Sequence, residues 1–263
     1  MSIKYRSFCS GSGGNASLLW NWAAGLLIDF APGCQRDCRA ALGEVRRAGT
    51  AAAAVLVTHA HGDHINANSL KVLRAEGLPV FCHPEVARQI KQKYGAAYAG
   101  LIKTFEHRTE IAGFTVSQSR VQHVPGYYTS AFIITAAGAS RNYKVSIFTD
   151  LNAFTEEHLA LAADSDLLAL EANHDLELLK SHGHPGSEFH LSNLQTASFL
   201  HSICARSRRQ PRAVVLGHLS EDCNAPHLPL AEIESYFGKR ELPMKFKAHV
   251  SPRFAPGALI TIK

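Results

Sequence analysis

The sequence predicts an α/β protein, because strand-like and helix-like segments alternate along most of the chain. The strand-like segments are short apolar runs, such as 145–148 and 213–217. The helix-like segments carry start or stop signals, such as Gly77 after the segment 66–76. Histidine or aspartate also follows several strand-like runs directly, at the position where α/β proteins commonly place their chemistry.

The individual elements follow from these patterns in chain order. Strands are predicted at 17–20, 53–57, 114–116, 145–148, 167–170 and 213–217. Helices are predicted at 66–76, 86–94, 156–163, 194–206 and 230–237. Ser192 is a plausible N-cap of the fourth helix, and short strands dominate the first third of the chain.

The size and composition predict a single domain that spans residues 1–263. The chain is 46% hydrophobic and contains no linker-like or low-complexity tract. No segment approaches the roughly 18–20 continuous apolar residues that span a bilayer, and the amino terminus does not resemble a signal peptide. We therefore expect a cytoplasmic protein that does not associate with membranes.

The six cysteines and the positive net charge are less informative. The cysteines form no small-domain disulfide framework. Cys34 and Cys38 are either a metal-binding pair or idle thiols, and no second pair accompanies them. The net charge of +5 is compatible with a polyanionic partner. The arginines between 206 and 212 indicate either a solvated helix end or a phosphate-binding patch.

The most informative motif is Thr-His-Ala-His-Gly-Asp-His at 58–64, directly after the strand at 53–57. Its potential ligands are His59, His61, Asp63 and His64. No single helical face presents side chains at these spacings, whereas a loop can fold them around a metal. Imidazole and carboxylate suit zinc, manganese or iron, and four ligands exceed the three that one catalytic zinc usually takes. The motif therefore predicts two metal ions, with a histidine-rich surface turn as the alternative.

A site for two metals needs ligands from other loops, and three candidates follow apolar runs elsewhere. They are His123, Asp150 and His218. If their strands share a sheet, the strand ends converge on one edge. Each residue also has a simpler explanation: Asp150 would cap a helix starting at Leu151, and His218 would be a packed histidine.

Together these residues resemble the HxHxDH ligand pattern of the metallo-β-lactamase superfamily. The resemblance implies a four-layer αββα sandwich and a hydrolase with two divalent metal ions. It also implies that His59, His61 and His123 hold one ion, that Asp63, His64 and His218 hold the other, and that Asp150 bridges them. The full set is typical of phosphodiesterases of the superfamily, although some thioester and lactone hydrolases share it.

Further segments resemble one branch of the superfamily, the YycJ/WalJ-type bacterial DNA exonucleases. They are 9–17, 26–33, 170–175 and the two His-Leu-Ser elements at 190–192 and 218–220. The resemblance implies DNA as the substrate and 5′→3′ polarity. It extends from Phe8 to about Pro226, and its one visible departure is Val124-Pro125 after His123, where members commonly carry an acidic residue.

These observations predict hydrolysis of a phosphodiester by a hydroxide that bridges two metals. Asp63 would ligate a metal and orient the nucleophile. His190 would assist the leaving oxygen, unless it only packs against the helix that follows. The side chains expected around the site or substrate are Asn15, Asn173, His174 and Ser192. The glycine-rich loop at 9–17 would either offer N–H groups to a phosphate or simply make a tight turn.

Two other functions are compatible with the ligand set. One is a small-molecule metallo-hydrolase that acts on a cyclic phosphodiester, a thioester or a lactone. The other is a metal-binding or signalling protein without catalysis. The sequence does not distinguish zinc from manganese or iron, and it indicates neither an oligomeric state nor an obligatory protein partner.

Overall fold

Two mixed β-sheets face each other in the structure, a computed structural model that describes residues 2–138, 141–183 and 185–263. The strands of the first sheet are β1 (Ile3–Cys9), β2 (Ala16–Trp20), β3 (Gly25–Phe30), β4 (Ala52–Leu56), β5 (Val80–Cys82), β6 (Ile102–Thr104) and β14 (Ile260–Ile262). Those of the second are β7 (Arg108–Ile111), β8 (Phe114–Val121), β9 (Thr129–Ala136), β10 (Tyr143–Phe148), β11 (Leu167–Glu171), β12 (Ala213–Gly217) and β13 (Lys247–Val250).

Each sheet combines an antiparallel part with a parallel part. The first has the order β14-β1-β2-β3-β4-β5-β6 and is parallel from β3 to β6. The second has the order β13-β12-β11-β10-β9-β8-β7 and is parallel from β10 to β13. The antiparallel pairs β8–β9 and β9–β10 make β8 run in the same direction as β10.

The alternation of side chains along the strands places one apolar face of each sheet in the centre. Leu26 and Leu56 of the first sheet belong to the same buried cluster as Phe132 of the second. Leu27 and Val55, one residue away along their strands, belong instead to the cluster beneath the helices. Phe132 is fully buried, so its truncation to alanine should cost about 3–5 kcal/mol.

Helices cover the outer face of both sheets. They are α1 (Gln35–Arg47), α2 (Ala67–Ala75), α3 (Pro84–Tyr94), α4 (Glu156–Ala162), α5 (Leu176–His182), α6 (Asn193–Arg206) and α7 (Leu228–Gly238). α1, α2 and α3 pack on the first sheet, and α4, α6 and α7 pack on the second. The predicted four-layer αββα sandwich is thus confirmed. No helix within the described ranges has the length and hydropathy needed to cross a bilayer.

The predicted strands and helices are all present, with the helix ends shifted by at most two residues. Ser192 caps α6 as predicted, because its hydroxyl accepts from Gln195 N. The prediction of a first third dominated by strands was wrong in one respect, since α1 was missed. α5 was missed as well. α1 buries a stripe at Cys38, Ala41, Leu42 and Val45, whose small residues give a weak helical pattern.

Two alternatives from the sequence are also resolved by the fold. Asp150 does not cap a helix, because α4 begins at Glu156 after the N-cap Thr155. The arginine cluster lies where α6 ends and β12 begins, at the opposite end of β12 from His218. It forms a solvated helix end in which Arg206 pairs with Glu156, Arg208 with Asp164 and Arg209 with Asp166.

Candidate metal centre

Potential ligands from both sheets meet at the carboxyl ends of strands. The loop 58–64 follows β4 in the first sheet, and His123, Asp150 and His218 follow β8, β10 and β12 in the second. The structure brings all seven sequence-predicted ligands together. The two sets touch where His64 Nε2 lies 3.2 Å from Asp150 Oδ2.

The first group of potential ligands consists of the imidazoles of His59, His61 and His123. His61 Nδ1 is 2.9 Å from His59 Nε2 and 3.4 Å from His123 Nε2. Ligands bound about 2.0–2.1 Å from a tetrahedral zinc lie roughly 3.3 Å apart. The spacing of the three nitrogens therefore fits an ion of this kind, and a donor set of imidazole and carboxylate also suits manganese or iron.

The second group consists of Asp63, His64 and His218. Asp63 Oδ2 lies 3.3 Å from His64 Nε2 and 3.4 Å from His218 Nε2. Asp150 lies between the two groups, since its Oδ1 is 3.8 Å from His123 Nε2 while its Oδ2 faces His64. A carboxylate in this position can contribute one oxygen to each group.

Asp29 orients the histidines on the first-sheet side. Its Oδ2 accepts a hydrogen bond from His64 Nδ1 at 2.7 Å. The Thr58 hydroxyl donates to Asp29 Oδ1 at 3.0 Å and lies 3.0 Å from His59 Nδ1. Because Nδ1 of each ring is engaged, the Nε2 atoms of His59 and His64 face the centre.

Glu171 has the corresponding position on the second-sheet side. Its Oε1 accepts from His218 Nδ1 at 3.0 Å and from His190 Nδ1 at 2.5 Å, while its Oε2 accepts from Leu191 N. His123 Nδ1 is engaged separately, by a backbone carbonyl oxygen at 2.9 Å. In His123 and His218, too, the outer nitrogen holds the proton and Nε2 faces the centre.

Neither Asp29 nor Glu171 is among the side chains that the sequence predicts for the site. Each is an acid at the end of an otherwise apolar strand, and both are buried. A buried carboxylate requires partners. The available signals were this position in a strand and the presence of both residues in segments 26–33 and 170–175, which resemble the YycJ/WalJ-type branch. The identity of the partners depends on contacts across 35 and 47 residues of sequence, His64 with Asp29 and His218 with Glu171.

The rings of the first group are neutral. Burial lowers the pKa of His59 well below its usual range. Burial, together with the neighbouring His123, lowers the pKa of His61 to about 4. Burial also lowers the pKa of His123. A metal can bind these nitrogens without displacing a proton.

In the second group the histidines are positively charged and the carboxylate of Asp63 is negatively charged, so the charges offset one another. Burial opposes the charge on His218, but Asp150, Asp63 and Glu171 outweigh it and raise its pKa to about 10. The carboxylates around His64 likewise overcome its burial and raise its pKa well above the usual value. Metal binding to this group releases protons, so we expect metal affinity to fall as the pH is lowered.

Three of the residues at strand ends have a left-handed backbone. The φ angles are 50° at Asp29, 57° at Asp150 and 56° at His218. This conformation costs an L-residue roughly 1–2 kcal/mol, and such strain is concentrated at functional sites. At Asp150 and His218 this conformation turns the chain just after the strand, whereas at Asp29 it coincides with a register shift between β2 and β3 one residue before the strand ends.

His190 lies at the mouth of the cluster with 18% of its side chain exposed. Its ring centroid is 4.9 Å from that of His123 and 5.1 Å from that of His218. Burial would lower its pKa, but the charge of Glu171 outweighs burial and raises the pKa. With Nδ1 bonded to Glu171, the proton on Nε2 is available to a bound molecule.

Asn15 joins the glycine-rich loop to the cluster. Its Nδ2 is 3.2 Å from Asp63 Oδ2 and 3.1 Å from His64 Nε2, and its Oδ1 accepts from Gly11 N. Gly14 N donates to the Gly11 carbonyl oxygen. These N–H groups are used within the loop, which favours a tight turn over a phosphate cradle.

The other three predicted side chains brace the segments around the site. Asn173 Nδ2 donates to the His218 carbonyl oxygen at 3.0 Å. His174 is buried behind the cluster, and its Nδ1 is 3.4 Å from Asn173 Oδ1. The Ser192 hydroxyl lies 2.9 Å from Gln195 Oε1 as part of the α6 cap. The structure does not bring His174 into the groups of potential ligands.

The fold and this cluster define a protein of the metallo-β-lactamase class. The family model of the beta-lactamase superfamily domain matches residues 26–218, a range that contains every ligand candidate. The chain belongs to this family, and the family and its relatives point to a metal-dependent hydrolase.

More specific similarity is to exodeoxyribonucleases, which confirms the resemblance to YycJ/WalJ-type proteins. Exodeoxyribonuclease WalJ of Streptococcus pneumoniae serotype 2 (strain D39 / NCTC 7466) is 25% identical over 247 residues, which cover 87% of this chain and 86% of the relative. Exodeoxyribonuclease YycJ of Bacillus anthracis is 26% identical over 191 residues, 66% of each chain. The solved structure of Zn²⁺-bound PqqB from Methylobacterium extorquens shares the fold, with a TM-score of 0.70, 14% identity, and coverage of 98% of this chain and 99% of that one.

Proposed function

We propose that this chain is a DNA exonuclease that hydrolyses phosphodiester bonds at DNA ends in the 5′→3′ direction. One observation carries the catalytic part of the proposal: four histidines have their outer nitrogens engaged and their inner nitrogens directed at one centre. The choice of DNA is supported by similarity to exodeoxyribonucleases over most of the chain, and the polarity is the one that the resemblance to YycJ/WalJ-type proteins implies. The proposal includes a cytoplasmic location, in which the six free cysteines stay reduced.

Two divalent cations are part of the proposal, either zinc or manganese, with iron as a further possibility. His59, His61 and His123 would hold one, Asp63, His64 and His218 would hold the other, and Asp150 would be shared. When bound, such ions supply positive charge that lowers the pKa of water and offsets the charge on phosphoryl oxygens.

The side chains around the cations position the reacting groups. Asp63, held by the Asn15 amide at 3.2 Å, would orient the attacking water. His190, protonated because Glu171 accepts from its Nδ1, would donate the proton of Nε2 to the leaving oxygen. Asp29 and Glu171 would keep the histidines in the tautomer that this arrangement needs.

The test is a gel assay on linear duplex DNA labelled at one 5′ end, with added manganese and with Asp150→Ala protein as the control. Metal-dependent release of short labelled products by the wild type alone would support a nuclease that starts at the labelled end. Metal content of both samples should be measured in parallel.

The same assay separates this proposal from its alternatives. Wild-type protein that holds about two metals per chain and leaves DNA intact would contradict the nuclease proposal. Turnover of a small phosphodiester, thioester or lactone by that sample would then identify a small-molecule hydrolase. A metal-loaded protein inert towards all of them would be non-catalytic.

A further inference from the structure

The mouth of the site is bounded on the first-sheet side by α3 and the loop after His123. Gln89 Nε2 donates to the Gly126 carbonyl oxygen at 2.7 Å. The Tyr94 hydroxyl donates to the Ile65 carbonyl oxygen at 2.9 Å. α3 therefore fixes both the loop after His123 and the residue that follows the loop 58–64, so this rim has a defined shape.

Tyr127 extends from this rim to the candidate ligand His61. Its N–H donates to the Val124 carbonyl oxygen at 3.2 Å, and Gly126 has a φ of 88°. Proline followed by a glycine of positive φ is typical of the centre of a type II turn. The turn thus occupies the segment in which the chain departs from the YycJ/WalJ-type pattern.

The turn places the Tyr127 ring against a candidate ligand. The ring centroid lies 4.1 Å from that of His61, with the planes inclined by 59°. The tyrosine side chain is half-buried, as is His61. The tyrosine also packs against the apolar cluster beneath the helices, so only part of its side chain is open to solvent beside the predicted cleavage centre.

Lys93 adds a positive charge to the same rim. Its Nζ donates to the Ala60 carbonyl oxygen at 3.3 Å, within the loop 58–64, and the residue is exposed. A Cβ atom on Gly62 would lie 3.9 Å from Nζ, so the absence of a side chain there leaves the ammonium group accessible. Among the residues that the structure describes, no carboxylate forms an ion pair with Lys93, whereas Arg206 and Arg208 are both paired.

We propose that Tyr127 and Lys93 form the subsite for the nucleotide beside the bond that is cut. The base stacks on the Tyr127 ring, and the Lys93 ammonium group binds the adjacent phosphate. This inference rests on the proposed function, because it assigns a subsite to the same centre. Stacking accepts any base but requires that the base be unpaired, so the substrate end is single-stranded or frayed and is not selected by sequence.

The experiment compares variants on two single-stranded DNA oligonucleotides, one intact and one with abasic sites at its first two positions. Affinity is measured by fluorescence anisotropy in EDTA, without turnover, and KM is measured with manganese. Tyr127→Ala should weaken binding and raise KM for the intact end by about ten-fold. The abasic oligonucleotide should already bind wild type weakly and should lose nothing more with Tyr127→Ala. Tyr127→Phe, which keeps the ring, should restore most of the affinity.

Lys93→Ala should weaken binding of both oligonucleotides. It should also reduce the slope of log affinity against log salt concentration by about 0.7, the value for one phosphate contact on a single strand. The matched control is Lys91→Ala, an exposed lysine of the same helix, which should leave the salt dependence unchanged. An equal loss on intact and abasic ends would overturn the stacking role, and so would an unchanged KM in Tyr127→Ala. Both outcomes leave the proposed function standing, whereas a wild type that cleaves no DNA contradicts the proposed function itself.

Discussion

The two sides of the candidate metal centre are built in different ways. On the first-sheet side, one loop of seven residues provides His59, His61, Asp63 and His64. On the second-sheet side, His123, Asp150, His190 and His218 come from four separate loops spread over 96 residues. Yet each side contains one buried carboxylate at a strand end that orients two histidines.

The comparison shows what each carboxylate controls. Asp29 acts on His64 directly and on His59 through Thr58, and these two histidines belong to different ligand groups. Glu171 acts on His218, a ligand candidate, and on His190, which lies at the mouth. On the first side the carboxylate therefore contacts only candidate metal ligands, whereas on the second side it links a candidate ligand to the group proposed to donate a proton.

The largest effect is expected for Asp150→Ala, which removes the side chain shared by both sides. We expect no detectable metal-dependent hydrolysis, with the fold retained in the circular dichroism spectrum. Asp164→Ala is the matched control, because Asp164 has a similar φ of 58° but pairs with Arg208 away from the site. Unchanged turnover of metal-replete Asp150→Ala would contradict the two-metal assignment.

A comparison of Asp29→Asn with Glu171→Gln tests the difference between the sides. Each should lower metal affinity or activity by about 10- to 100-fold, as expected when a carboxylate partner of a ligand histidine is lost. Activity of Asp29→Asn should recover at saturating metal, whereas Glu171→Gln should remain slow because His190 has lost its partner. Titration with manganese measures the metal affinity and the activity of each variant. Equal recovery in the two variants would contradict the proposed difference between the two sides.

His190→Ala should lower kcat by about 100-fold with normal metal content. Glu171 raises the pKa of His190 against the effect of burial, so the ring stays protonated above its ordinary range and loses its proton only at higher pH. Wild-type kcat should accordingly decline as the pH rises through the pKa of His190. This alkaline decline should be absent in His190→Ala. If the variant instead lost metal, His190 would be a ligand.

The smallest effect is expected for Arg206→Ala, which removes an exposed pair with Glu156 far from the centre. Urea denaturation should show little or no loss of stability, because solvent screens an exposed ion pair. DNA affinity and its salt dependence should not change, in contrast with Lys93→Ala. A clear loss of affinity would restore the phosphate-patch interpretation of the arginine cluster.

The sequence predicted the first-sheet side of the site more completely than the second-sheet side. The motif at 58–64 was sufficient by itself to predict a metal site, because its four potential ligands are neighbours in the chain. His123, Asp150 and His218 were recognisable only as polar residues after apolar strands, and their grouping required the superfamily pattern. Asp29 and Glu171 lie at strand ends too, but their role depends on which histidine packs against them in three dimensions.

Helix α1 illustrates a second limit. Its buried positions, Cys38, Ala41, Leu42 and Val45, have helical spacing, but two of the four are small, and polar residues surround them. Tertiary burial against the first sheet stabilises this helix more than its own apolar pattern indicates. Tyr127 shows the same limit, since the Pro-Gly turn is visible in the sequence and its orientation towards His61 is not.

The left-handed residues at the strand ends set catalysis against stability in the evolution of this chain. Glycine adopts this conformation without strain, so replacing Asp29, Asp150 or His218 with glycine would relieve backbone strain while removing a group that the centre needs. A lineage under selection for thermal stability alone would drift towards glycine at these three positions. Aspartate and histidine at these three positions therefore carry a backbone cost that glycine would avoid, and the side chains that they bring to the centre offset that cost.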